Sequence, residues 1–236
     1  MRTARVLELE PLRLSLPRDN RPLGTRVLGG ILDMAAQALR ELETHGTRLA
    51  AVGRLRGTGR GVHFRDMIAA LESRHPLELV SPFEDSQLVA GAAWVGHDLL
   101  GPGTDAAMAK LRWDRGAGDL PLHVHDFSDR FIIVHCGRGF FHVTDESFDE
   151  FTGRNVRSIP ARERDVFMFT RGVVHTFSTL DEPMTLLSCQ LPYKAFDDPD
   201  QFRLPRVRWT ARDNPETATP EVGIDPAWTM LTGGRA

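Results

Sequence analysis

Three histidines carry most of the chemical information in this chain. His123 and His125 lie in LPLHVHDFSDRFIIVHCGRGFF (residues 120–141), and His175 follows on a separate run, TRGVVHTF. In a β-type run, residues i and i+2 project from the same face, so the two imidazoles of HVH stand side by side. A histidine just past a glycine turn on a later strand can converge with them. Neutral imidazoles from neighbouring strands make a first shell for a first-row transition metal. A lone strand histidine is ordinarily structural or solvent-facing; a trio in this arrangement is read as a metal site.

HVHDFSDRFIIVHCG resembles the first cupin motif, in which HxH is followed at set spacing by Glu and then Gly. His123, His125 and Gly137 match, whereas Arg130 stands where the metal-binding Glu is usual. RDVFMFTRGVVHTF resembles the second motif. Gly172 and His175 match it, while Arg164, Thr170 and Thr179 replace the usual Gly, Pro and Asn. The resemblance spans roughly residues 116–179. It implies a mainly β protein, a cupin double-stranded β-helix (jelly-roll) barrel, here with a small helical N-terminal region. It also implies a bound divalent transition metal on His123, His125 and His175, with Fe(II) first and Mn, Ni or Zn as alternatives.

Arg130 is the departure that matters, because a guanidinium cannot coordinate a cation and opposes one at close range. Two resolutions are open. A one-residue bulge would turn Asp129 inward as a fourth ligand and Arg130 outward. Alternatively the site has only its three histidines, and Arg130 lies just off the metal and binds an anionic substrate group. His142, Phe141 and Phe177 join Arg130 as candidate substrate contacts. His135, at odd spacing from Arg130, is read as structural, and Cys189 as a small buried hydrophobe.

Elements that would position these residues are legible in outline. Residues 1–28 read as extended, punctuated by Pro11, Pro17 and Pro22. ILDMAAQALRELE (residues 31–43) places Ile31, Met34, Ala35, Ala38, Leu39 and Leu42 on one helical face. Residues 47–55 read as a second short helix, GTGRG (57–61) as a turn, and HFRDMIAALESR (63–74) as a helix ended by Pro76. Short β-rich runs follow at 77–80, 87–94, 107–113, 122–125, 131–136, 139–144, 165–169, 175–179 and 184–191, with Gly137 among the separating turns. Hence residues 1–76 are expected as an arm and helical region, 77–193 as the barrel, and 194–236 as a C-terminal arm. Phe202, Trp209 and Trp228 are the anchors by which that arm would pack on the barrel or on a partner.

Composition bounds the function. The 236 residues have a net charge of −3 and give no overall electrostatic footprint for nucleic acid. Residues 40–75 carry a local excess of arginine but lack the turn pattern of a DNA-reading helix pair, so nucleic acid is not an expected partner. Two widely spaced cysteines, Cys136 and Cys189, argue for a reducing cytoplasm rather than a disulfide framework. No apolar run is long enough to span a membrane. The resemblance implies a homodimer and a metal-dependent enzyme acting on a small, anionic organic molecule, an Fe(II) dioxygenase foremost. A non-catalytic ligand-binding or regulatory cupin, and an isomerase or lyase on the same scaffold, are the alternatives.

Overall fold

A computed structural model describes residues 6–8, 11–56 and 63–218. The turn expected at 57–61 and the anchor Trp228 lie outside these residues. Nine strands form among the described residues: β1 (Val6–Glu8), β2 (Ala50–Arg54), β3 (Val89–Val95), β4 (Ala107–Trp113), β5 (Asp129–Thr144), β6 (Val156–Arg162), β7 (Asp165–Phe169), β8 (His175–Ser178) and β9 (Met184–Leu191). The main sheet runs β1-β2-β7-β5-β9-β4-β3, and β6 and β8 pair with the second half of β5. All of these pairings are antiparallel except β1 with β2.

β5 is the strand shared by the two sheets. Its first half pairs with β7 and β9, its second half with β6 and β8, and a bulge lies between Val134 and Cys136. Gly137, expected as a turn, is instead part of this continuous strand, at φ +78°. A Cβ there would meet the Pro183 carbonyl oxygen at 2.0 Å, so only glycine allows the strand to change sheets here.

Helix α1 (Leu23–Glu43) and helix α2 (Phe64–Arg74) cover the outer face of the main sheet. The six apolar residues expected on one face of α1 are all buried. The helix starts at Leu23, however, eight residues before the periodic segment. Glycines in its early turns obscure the pattern, and they are there for close packing. A Cβ on Gly24 would lie 2.6 Å from the Ala70 carbonyl oxygen of α2. Residues 47–55 are not a helix, because Ala50–Arg54 pairs with β1 and β7 as a strand. The expected run 139–144 merges into β5, while 77–80 and 122–125 contribute only isolated bridges. β6 was not legible, since Arg157, Pro160 and Arg162 interrupt its apolar pattern.

Helices on one face and a second sheet on the other leave the main sheet buried on both sides, so its strands lose the simple apolar–polar alternation. Parity still decides which way each residue points. Phe131 and Ile133 of β5, Leu187 and Cys189 of β9, and Val166 and Met168 of β7 pack with the helices. Ile132 and Val134, Leu186, and Phe167 and Phe169 pack in the space between the sheets. Each fully buried aliphatic or phenyl group stabilises this arrangement by about 1.5–3 kcal/mol. No helix among the described residues is long and apolar enough to cross a membrane.

The loop between β6 and β7 tests one departure from the second motif. Arg164 occupies the usual glycine position and holds φ +73°, a region costly for any residue with a Cβ. Arg164→Gly is expected to raise unfolding stability by about 0.5–1 kcal/mol, the relief of strain exceeding the added chain entropy. Urea denaturation checks this; an unchanged or lower midpoint would show that the side chain compensates for its backbone.

Candidate metal centre

His123 and His175 face each other across an isolated bridge, with reciprocal backbone hydrogen bonds of 2.9 Å. The Gly172 N–H donates to the His125 carbonyl at 2.9 Å and ties the second motif to the first. The three side chains are buried, and one ligand atom from each lies within 4.8 Å of the others. The fit to a metal is decided by the ring nitrogens that face away from the cluster. Nδ1 of His123 lies 3.0 Å from the Pro121 carbonyl oxygen, Nδ1 of His175 lies 3.0 Å from that of Val173, and Nδ1 of His125 lies 2.6 Å from that of Gln201. A carbonyl only accepts, so each Nδ1 carries the proton and each Nε2 keeps a free lone pair. Metal-binding histidines are oriented in this manner.

Electrostatics keep the imidazoles neutral. Burial pushes His123 down to about 4, with the Arg130 charge adding to the effect and the hydrogen bond to Pro121 opposing it. His125 and His175 are lowered well below 6.5, again chiefly by burial. Aromatic rings wall the cluster. Phe169 lies 3.9 Å from His175 between centroids, and Phe202 lies 5.4 Å from His123. The residues present therefore fit a divalent transition metal: three neutral nitrogen donors in a dry setting.

Arg130 points into the same space. Its Nη1 donates to Oε1 of Gln190 at 2.7 Å, and its Nη2 lies 2.9 Å from Nδ1 of His125. Because that Nδ1 proton is directed at the Gln201 carbonyl, the guanidinium is a neighbouring positive charge rather than a donor to the ring. Burial pushes Arg130 down to about 9, still charged at neutral pH. A buried cation without a hydrogen-bonded carboxylate is costly, and an anion beside it offsets the cost. Asp129 does not supply that partner. Odd and even residues of β5 face opposite sides, and the bulge lies beyond Arg130, too late to exchange the two. Asp129 points to the helical side, where its carboxylate accepts from the Arg171 backbone N–H at 2.7 Å and guanidinium at 3.2 Å. It is not among the clustered ligands.

A cavity of about 40 Å³ opens beside the histidines, lined by Arg130, Gln190, Gln201, Leu111, Ile132 and Phe177 among others. Phe177, a candidate substrate contact, is among these lining residues. Phe141 does not line the cavity; it stands behind the site, packed on Phe167 and Phe177 at 4.9 Å from each. His142 is on the opposite face of the second sheet by strand parity. It bonds to Ser158 (2.8 Å) and Ser178 (2.7 Å) and packs against Trp209, and it does not line the cavity. His135 faces Phe64 of α2.

Sequence reasoning missed Gln190, Ser188, Gln201, Phe83 and Phe196, all of which line the cavity. Ser188 and Gln190 had a signal, since they are polar residues at i, i+2 in an otherwise apolar strand. Gln201 and Phe83, in irregular segments, had none.

The two-sheet antiparallel barrel carrying both histidine segments has a cupin fold. Among solved structures, the chain is similar to an oxalate oxidase at 16% identity, over 48% of this chain and 55% of that one, with a TM-score of 0.38. It is similar to the S161A mutant of Bacillus subtilis oxalate decarboxylase at 16% identity, over 50% of this chain and 29% of that one, with a TM-score of 0.40. A cupin-superfamily sugar phosphate isomerase from Silicibacter pomeroyi is similar at 21% identity, over 44% of this chain and 59% of that one, with a TM-score of 0.34. The chain therefore spans less than two thirds of the length of each. No protein-family model matches it, and a search of curated proteins found no match. Likeness at this level carries no reaction across.

Buried neutral histidines make the metal-free protein sensitive to acid. His123 and His142 sit at about 4 and about 3 in the folded state, and His125 and His175 are also lowered, against 6.5 for the free group. The unfolded chain then binds more protons at acid pH. The stability these groups contribute is complete above about pH 6.5 and is lost as pH falls toward 4, by about 1.4 kcal/mol per pH unit for each histidine. Urea unfolding of the metal-free protein across this range is expected to show that slope, reduced in His142→Gln. A flat profile would mean the rings are protonated in the fold.

Proposed function

We propose that this protein is a metal-dependent enzyme acting on a small, anionic organic molecule, with a three-histidine site and the character of an Fe(II) dioxygenase. The observation that carries this reading is the convergence of three buried, neutral imidazoles beside one buried cation, Arg130, that no carboxylate among the described residues hydrogen-bonds. His123, His125 and His175 would hold the metal through Nε2. Fe(II) on three neutral donors would keep its full charge and would supply the means to activate dioxygen.

The chain's own residues do the rest. Arg130 binds the acidic group of the substrate and so fixes its orientation relative to the histidines, which is where most of the gain from proximity arises. The carbonyls of Pro121, Val173 and Gln201 hold the imidazole tautomers. Phe83, Leu111, Ile132, Phe177 and Phe202 exclude water and strengthen the attraction between Arg130 and an anion. Mn, Ni or Zn on the same donors, and isomerase or lyase chemistry, remain compatible with this donor set. A homodimer is carried with this reading from the cupin resemblance, and a cytoplasmic setting from the two free cysteines, Cys136 and Cys189.

One observation favours a second reading, a non-catalytic ligand-binding cupin: Arg130 abuts His125, and its charge opposes a cation at close range. Metal analysis separates the two. The purified protein, or protein incubated with Fe(II) and desalted, is expected to hold close to one equivalent by mass spectrometry, and His123→Ala and His175→Ala to hold almost none. Oxygen uptake with a panel of small carboxylic acids should then show turnover that falls by about two orders of magnitude in Arg130→Met. A site that stays empty after Fe(II) incubation overturns the enzyme reading in favour of the binding protein.

A further inference from the structure

Gln190 uses only one half of its amide. It stands directly opposite Arg130 in the β5–β9 pairing, so both side chains enter the space between the sheets. Its Oε1 accepts from Nη1 of Arg130 at 2.7 Å and from Nε2 of Gln201 at 3.2 Å. Those two donors fix the orientation of the amide, because the reverse would set its NH2 against a guanidinium, which has no acceptor. Nε2 of Gln190 is consequently left without a hydrogen-bond partner among the described residues, although the residue is only 1% exposed. A buried donor in this state is rare in folded proteins and calls for an acceptor.

Among the described residues, no Asp or Glu lines the cavity to which Gln190 belongs. Arg130 and Gln190 both border it, and Gln201 is engaged through both ends of its amide, with Gln190, Lys194 and, more distantly, Arg130. Beyond them and the three histidines the walls are largely apolar, with Ala109, Leu111, Ile132 and Phe177, and Ser188 adds a hydroxyl. A second idle donor, Nε1 of Trp113, belongs to the far end. Ala107, not Trp113, pairs with Gln190, and Trp113 follows six residues later on β4, roughly 20 Å along the strand.

We propose that Gln190 Nε2 and the Arg130 guanidinium form a two-point anchor for one carboxylate, which makes the substrate a compact monocarboxylate whose remaining atoms are neutral. One oxygen accepts from Arg130 and the other from Gln190, leaving the rest of the molecule against Leu111 and Ile132. Amines and ammonium compounds are rejected, since no carboxylate is there to receive them and the guanidinium repels the charge. Gln190 is on this account a specificity-determining residue. The inference rests on the cavity being the substrate site, but it does not require the metal to be loaded.

Calorimetry on the full chain, metal-free and after anaerobic Fe(II) loading, tests it with propionate, propionamide and propylamine as probes. Propionate is expected to bind the metal-free protein roughly tenfold or more tighter than propionamide, and propylamine not measurably. Gln190→Glu, which places a carboxylate on the guanidinium itself, is expected to abolish propionate binding. Nitrogen–proton NMR of the wild-type protein separates an anchor from a mere support for Arg130. The side-chain amide pair that is missing from the Gln190→Glu spectrum should shift saturably with propionate. Equal affinity for propionate and propionamide overturns the proposal without any variant having to fold, and so does a Gln190 amide signal that stays still while propionate binds. Failure to load Fe(II) with the propionate preference intact leaves this anchor standing and removes only the metal reading.

Discussion

The structure depends on one strand being buried on both faces. β5 is packed against helices through Phe131 and Ile133 and against the barrel interior through Ile132 and Val134. Because side chains alternate, a slip of one residue would drive Arg130 under the helices and Asp129 into the cavity, exchanging every contact on the strand. Neither group tolerates that exchange cheaply: Asp129 is satisfied by Arg171, and Arg130 by Gln190. The core on one side of the sheet thus sets the chemistry on the other. The helical layer serves the site by fixing parity, though it contributes no residue to the cavity wall.

Around that constraint the site concentrates groups that burial disfavours. Three imidazoles escape the cost by staying neutral, each giving its Nδ1 proton to a backbone carbonyl. Arg130 cannot shed its charge at neutral pH and relies on the oxygen of Gln190. The balance is incomplete on the anionic side. A metal alone would add to the imbalance, whereas an anion shared between metal and guanidinium would correct it. Site polarity and substrate charge are therefore linked by the same electrostatic requirement.

The C-terminal segment is part of this machinery. Gln201 accepts from His125 through its carbonyl and reaches Gln190 through its amide, while Arg203 pairs backbone to backbone with Val124 and ion-pairs with Asp126. Phe202 closes on Phe83 and His123. Leu122 donates to the Trp209 carbonyl on the outer side of the same segment. A stretch that has little periodicity in the sequence is thus held by the histidine segment and in turn orients one of its rings.

The sequence by itself determined the class of fold, the three histidines and the anomaly at Arg130, because motif spacing and strand alternation are local properties of the chain. β4, β7 and β9 were legible to the residue, since each is a short apolar run between strong turn signals. Where glycines served close packing rather than turning, as at Gly24 and Gly137, local reading placed the start of α1 too late and split β5 in two. Tertiary structure alone decided that Asp129 faces Arg171, that His142 lies behind the second sheet, and that Gln190 and Gln201 join Arg130. Those outcomes depend on which neighbour covers each face and on contacts between residues far apart in the chain. No periodicity encodes them, for the energy that selects them is released only when the sheets and the C-terminal segment close around the cavity.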